Sequence, residues 1–304
     1  MRHWKPQPSP GRWVAAGLLL AALAGAALAL ARIAGRLAGP PEVWRVDVGL
    51  FGLILALLGL LAAAGWLAYR TAAALTLGYE LDRNGLYITW LGNRAVVPLD
   101  RITSIDIGAP EARLPLGSLQ GIGYYWGTAR LPDGGRLHLF ATQPPARCLV
   151  VYTPEGAYAI SPADHEAFVQ DLEQRRNLGA AKPLTATLEP SRFFLYAFWN
   201  DRTVRGLLLL ALLLNLVALG ALAARYPGLS ALVELRFDAT GEVAELRPRH
   251  QALFLPLAAF GLSLLNTALG LALYQRERLG ARLLQGASVI VQLLFAVALA
   301  TVIL

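Results

Sequence analysis

Side chains able to exchange protons, attack or ligate are sparse in this chain. His138 stands in an alternating run that reads as strand, and His165 in the first turn of what reads as a helix. Neither has a nucleophile or an orienting acid in a recognisable pattern, so both read as structural or surface residues rather than acid–base catalysts. One cysteine, Cys148, excludes an intrachain disulfide and any multi-cysteine metal site. Its neighbour Arg147 is the one feature that could activate the thiol, and a half-buried strand cysteine is the default. No glycine-rich phosphate loop or zinc-protease motif is present. The expectation is a chain without metal or cofactor that is not an enzyme.

Asn215, Asn266, Thr267 and Gln292 pose a different question, because they lie inside long apolar segments. Polar groups there either line a path through a helix bundle or bond one helix to the next. No carboxylate, lysine or histidine accompanies them, so ion or proton transport lacks its usual titratable group. Adhesion between helices is the favoured reading, and no clear inverted repeat suggests a carrier.

Composition explains why such segments exist. Of 304 residues 56% are hydrophobic and 15% charged, against about 25% charged in ordinary soluble domains. Crossing a hydrocarbon core of about 30 Å takes about 20 apolar helical residues. Five segments qualify, at 13–31, 48–69, 206–224, 251–275 and 283–304, and none contains an ionised side chain. The first, preceded by Arg2, Lys5 and Arg12, exceeds the usual signal-peptide core and is followed at once by another, so an uncleaved span is favoured. The formal charge of +7 rests largely on arginine and does not indicate a nucleic-acid partner. The chain divides into a basic N-terminal tail at 1–12, a two-helix membrane hairpin at 13–69, a soluble insert at 70–205 and three membrane helices at 206–304. An external hairpin loop is expected at 226–250.

The insert carries 14 basic and 13 acidic side chains, a soluble composition. From Thr76 onward short alternating runs punctuated by turns such as Asn84-Gly85 predict about seven or eight antiparallel strands. Ser161-Pro162-Ala163-Asp164 then reads as a helix start with Ser161 as N-cap, and Phe168, Val169 and Leu172 give the helix an apolar face. A curved sheet capped by one C-terminal helix follows.

This order, with Val97-Pro98-Leu99-Asp100-Arg101-Ile102, the glycine-rich 121–127 segment and Tyr158-Ala159-Ile160-Ser161-Pro162, resembles the bacterial pleckstrin-homology-like (PH-like) domains over about residues 75–178. The resemblance implies an α+β PH-like domain. Many pleckstrin-homology domains that bind phosphoinositides carry several cations in the first hairpin. Here Arg83 stands beside Asp82, a poor polyanion site, which argues against phosphoinositide recognition and for a scaffold or peptide-binding role. The C-terminal half, with Arg236-Phe237-Asp238 and Gly241 between spans, is similar to a membrane module of unknown function from bacterial toxin-immunity and signalling proteins. That module usually has Leu-Pro and His-Phe where this chain has Leu229-Ser230 and Arg236-Phe237.

Arg70, Arg202, Arg205, Arg276, Arg278 and Arg282 flank the spans and are the expected contacts with the membrane interface. Counting flanking residues, 11 cations fall on the side of the N-terminus and insert against 7 on the other. This bias favours a cytoplasmic N-terminus and domain in the inner membrane of a bacterial cell. The expected partners are the lipid bilayer and an unidentified protein. A transporter or immunity-type protein acting through its C-terminal helices is the alternative.

Overall fold

Apolar segments become helices because no water is left in hydrocarbon to satisfy an open backbone. The computed structural model describes residues 1–109, 112, 124–179, 181–189, 195–237 and 243–303. Among these, five helices are long and apolar enough to cross a membrane. They are α1 (Gly11–Arg36), α2 (Val48–Thr76), α5 (Arg202–Arg225), α6 (Phe254–Leu273) and α7 (Arg278–Ile303). Their outer faces are hydrocarbon-like, with Leu20, Leu28, Leu209, Val217, Leu264 and Leu294 exposed.

The remaining elements are β1 (Arg2–Trp4), β2 (Gly78–Leu81), β3 (Gly85–Trp90), β4 (Asn93–Pro98), β5 (Ser104–Ile107), β6 (Tyr125–Arg130), β7 (Arg136–Ala141), β8 (Leu149–Thr153) and β9 (Gly156–Ile160). After them come helix α3 (His165–Asn177), β10 (Thr187–Glu189), the short α4 (Leu195–Asn200), and the hairpin β11 (Leu232–Phe237) and β12 (Val243–Pro248). The chain forms two units, residues 1–24 with 61–192 and residues 25–60 with 193–304.

In the first unit the strands form two five-stranded sheets, β1-β2-β3-β4-β10 and β5-β8-β9-β7-β6. Tyr79, Leu81, Leu86, Ile88, Val97, Leu149, Val151 and Ile160 fill the core with Phe168 and Leu172 of α3. The second sheet is covered on its other face too, where Leu137, Leu139, Cys148, Val150 and Ala159 are buried.

Four expectations are corrected here. Two five-stranded sheets replace one curved sheet of seven or eight strands, because the N-terminal segment adds β1 and the stretch after α3 adds β10. Residues 2–4, expected in a basic tail, pair with β2 from Arg2↔Leu81 to Trp4↔Tyr79. The pairing is not wholly antiparallel, since β7 and β9 run parallel; alternation marks a half-buried strand whatever its neighbour's direction. The N-cap of α3 is Asp164, whose carboxylate accepts from the Ala167 amide at 3.0 Å. Ser161 lies buried in the core, its hydroxyl accepting from the Thr142 amide. The 121–123 part of the glycine-rich segment and the Asp238 to Gly241 turn lie outside the described residues.

In the second unit α7 packs along both α5 and α6. Val46 and Leu50, with Ile33 and Trp44, pack against Leu222, Tyr226, Ala252 and Leu299. Asp47 caps α2, accepting from the Leu50 amide at 2.7 Å and from Arg36 at 2.5 Å. The amide bond first and Arg36 with it hold this carboxyl below the usual aspartate range, against the upward pull of desolvation.

Candidate functional site

The first unit joins its β domain to helix ends without a linker. Helix α2 ends at Thr76 and β2 begins at Gly78, so one residue, Leu77, separates them. The N-terminal segment forms a strap. Its Trp4 ring stands against Phe168, and the Lys5 carbonyl accepts from the Ala163 amide at 3.0 Å. The Gln7 amide donates to the Ser161 carbonyl at 2.7 Å, and the Gln7 carbonyl accepts from the Thr142 hydroxyl at 2.5 Å. The Pro8 carbonyl accepts from Gln143 at 3.1 Å. Within three residues the chain is α1.

Buried serine and tyrosine hydroxyls organise this junction. The Tyr79 hydroxyl donates to the Phe140 carbonyl at 2.7 Å and accepts from the Ser161 amide at 3.0 Å. Complete burial pushes its pKa far upward.

Arg70 departs from its expected role as an open interface contact. Helix α2 continues past Tyr69, which turns Arg70 inward to 9% exposure. Its guanidinium donates to the Tyr124 carbonyl and lies 4.9 Å from the Trp66 ring centre. Arg70 Nε and the Tyr124 hydroxyl are buried with no hydrogen-bond partner among the described residues. Burial raises the Tyr124 phenol well above its ordinary range. Tyr69 meets Trp126 edge to face at 6.4 Å, so the aromatic run after residue 123 packs on the end of α2.

Burial disfavours the charged forms of Cys148 and His138. Cys148 is buried, donates to the carbonyls of Gln143 and Pro144 at 3.2 and 3.3 Å, and has its pKa pushed up to about 12 by desolvation. A neutral thiol is a poor nucleophile. His138 stacks on Tyr158 at 5.2 Å, and burial first, then the charge of Arg136, lower its pKa.

In the second unit the intramembrane polar residues come together. Asn215 of α5 donates to the Pro256 carbonyl at 2.8 Å and to Gln292 Oε1 at 3.0 Å. Gln292 of α7 donates to the Ala259 carbonyl at 2.9 Å and to the Ser263 hydroxyl at 2.8 Å. Thr267 bonds the Ser263 carbonyl at 2.7 Å and Gln285 Oε1 at 3.4 Å. Asn266 donates to the Ser288 hydroxyl at 3.2 Å, while its carbonyl accepts from Gln285 at 3.2 Å. All four expected residues therefore belong to one ladder across three helices. Ser263, Gln285 and Ser288 were missed, although 285, 288 and 292 follow the three-and-four spacing of one helix face. A groove of about 370 Å³ beside the ladder is lined mainly by apolar groups, including Leu58, Leu212 and Phe260.

The flanking arginines do not form one site. Arg202, Arg205, Arg276 and Arg278 are exposed. Arg282 instead holds Asp201, with Nε and Nη2 each 2.9 Å from Oδ2. Asp201 also caps α5 through the Thr203 amide at 2.9 Å and accepts from the Tyr274 hydroxyl at 3.0 Å. Desolvation raises its pKa, but Arg282, Tyr274 and the cap amides together outweigh it and leave the carboxyl below its ordinary range.

No curated protein and no solved structure matches this chain. The β domain does have a family match, the bacterial PH domain, over residues 77–176; the match covers about a third of the chain and does not reach the C-terminal helices. A bacterial PH domain carried in one chain with five helices long and apolar enough to cross a bilayer fits a membrane protein with a PH-like domain.

Proposed function

We propose that this is a non-enzymatic protein of the bacterial inner membrane whose cytoplasmic PH-like domain docks a protein partner, acting as a scaffold or sensor at the bilayer. The observation that carries the reading is strand β5. Among the described strands it forms one edge of its sheet, bonded to β8 alone, with Ile107 75% exposed. An exposed edge offers unpaired amides and carbonyls to which an extended peptide can add as a further strand.

The intramembrane polar groups support the same choice over the transporter or immunity-type alternative. The amides of Asn215 and Gln292 bond each other, and Gln285 and Gln292 donate to backbone carbonyls of α6, which is the work of adhesion rather than passage. The orientation rests on the excess of cations flanking the domain side.

Crosslinking the full-length protein in native membranes, followed by its purification, tests the reading. A partner should be recovered with the unaltered chain and lost with Ile107→Arg or Ile107→Pro, since the Ile107 amide faces away from β8. Recovery unchanged by both substitutions would overturn docking at β5.

A further inference from the structure

A cavity of about 530 Å³ opens where the strap meets the last turn of α2. Its lining includes His3, Lys5, Ser9 and Arg12 from the N-terminal side and Leu75 and Thr76 from α2. Among the described residues no carboxylate lines it. His3 faces Glu80 at 3.7 Å outside the lining, whereas no carboxylate within ion-pair distance of Lys5 or Arg12 occurs among the described residues. The volume lies within the range of small-molecule sites, about 300–1,000 Å³.

Its position in the unit is equally telling. Arg12 directly precedes Trp13, which is 71% exposed on a helix apolar enough to cross a membrane. Leu75, on the rim from α2, is 67% exposed. Tryptophan and arginine at the ends of membrane helices sit at headgroup depth. With about 20 residues needed to cross the core, α2 from Val48 has emerged from hydrocarbon when it reaches Ala74 and Thr76. The strap backbone is fixed by its bonds to Ser161, Ala163 and Thr142, so the cations stand on a rigid frame. A cavity rich in cations, with apolar side chains on its rim at that depth, matches a lipid whose phosphodiester is anionic and whose tails continue into the bilayer.

We propose that this cavity binds the phosphodiester headgroup of an anionic glycerophospholipid, with Lys5 and Arg12 as its charge partners. The site is separate from the Arg83 hairpin and goes beyond docking at β5. It would seat the β domain against the lipid surface.

The test uses the full-length protein reconstituted in vesicles of phosphatidylcholine alone or of equal parts phosphatidylcholine and phosphatidylglycerol. After mild detergent extraction, native mass spectrometry reads the retained lipid. Phosphatidylglycerol should be retained in preference to phosphatidylcholine. Lys5→Gln and Arg12→Gln should each weaken retention about fivefold, the factor expected for one cation at an anionic surface. Arg12→Lys should restore most of it, and the pair Arg130→Gln with Arg136→Gln, exposed on the β domain and outside the cavity lining, should leave it unchanged.

Equal retention of the two lipids by the unaltered protein overturns the proposal even if the variants fail to fold. So does an equal loss in the Arg130 and Arg136 control, which would mark a general charge effect. Displacement of the lipid by inorganic phosphate would assign the cavity to a free anion and overturn the lipid reading.

Discussion

The Trp4 indole donates to Asp171 Oδ2 across 3.3 Å and stands edge-on to Phe168, the ring centres 5.5 Å apart. One contact thus joins the fourth residue of the chain to the helix that closes the β domain, 167 positions later. Asp171 is held from the other side by Arg175 at 2.8 Å. Trp4→Ala should cost about 3–5 kcal/mol, the range for removing a buried tryptophan. Trp4→Phe, which keeps an aromatic ring beside Phe168 and loses the indole donor to a carboxylate, should cost about 1.5–3 kcal/mol. Pulse proteolysis of the full chain across a denaturant series measures both.

Asn215 and Gln292 meet between α5 and α7 at 3.0 Å. Leucine at either position should lower stability by about 0.6–2 kcal/mol, the range for hydrogen bonds between membrane helices. The double variant should cost less than the sum, because each single change already breaks the shared bond. Unfolding in a titration of sodium dodecyl sulfate reads the coupling.

Gly270 makes room for the ladder. A Cβ there would lie 2.5 Å from Gln285 Nε2, and that amide is already engaged by the Asn266 carbonyl. Gly270→Ala should therefore cost about 1–3 kcal/mol by overpacking. Adding Gln285→Ala should recover part of the loss, and failure to do so in the same unfolding assay would separate the two residues.

Asp201 should make stability depend on acid. Its folded pKa lies below the ordinary aspartate value of about 3.9. The stabilisation from its charged form is therefore complete above that value and is lost as pH falls through the folded pKa. Asp201→Asn should remove this acid-dependent step, and at neutral pH it should cost about 1.5–3 kcal/mol for the charge-assisted bonds. Thermal melts in detergent from neutral pH down to the acid limit would show it.

Cys148 should resist alkylation in the folded protein, because burial and a pKa pushed up to about 12 suppress the thiolate. Maleimide labelling should appear only with unfolding and follow the same denaturant curve as proteolysis of the β domain.

How much of this was legible in the sequence differs by element. The five apolar helices and the alternation of β2 through β9 follow from local pattern, because hydrocarbon and a half-buried sheet each impose their own periodicity. Strand β1 has no such signature: three residues, Arg2-His3-Trp4, become a strand only because β2 offers an edge. The same limit hid the inward turn of Arg70, whose burial depends on a carbonyl 54 residues away. Asn215, Asn266, Thr267 and Gln292 stood out as polar residues in apolar surroundings, but their mutual contacts depend on how three helices pack. Ser161 was read as a cap from its Ser-Pro context, yet the hydroxyl serves the core instead, where Tyr79 and Thr142 compete for it.

A single residue, Leu77, separates α2 from β2. Bilayers of different thickness change the tilt of the helices that cross them. In this chain such a tilt at the end of α2 would be carried straight into the first sheet, with the strap bracing it from the α1 side. Strand β2 would then follow any movement of the helix end to which it is joined.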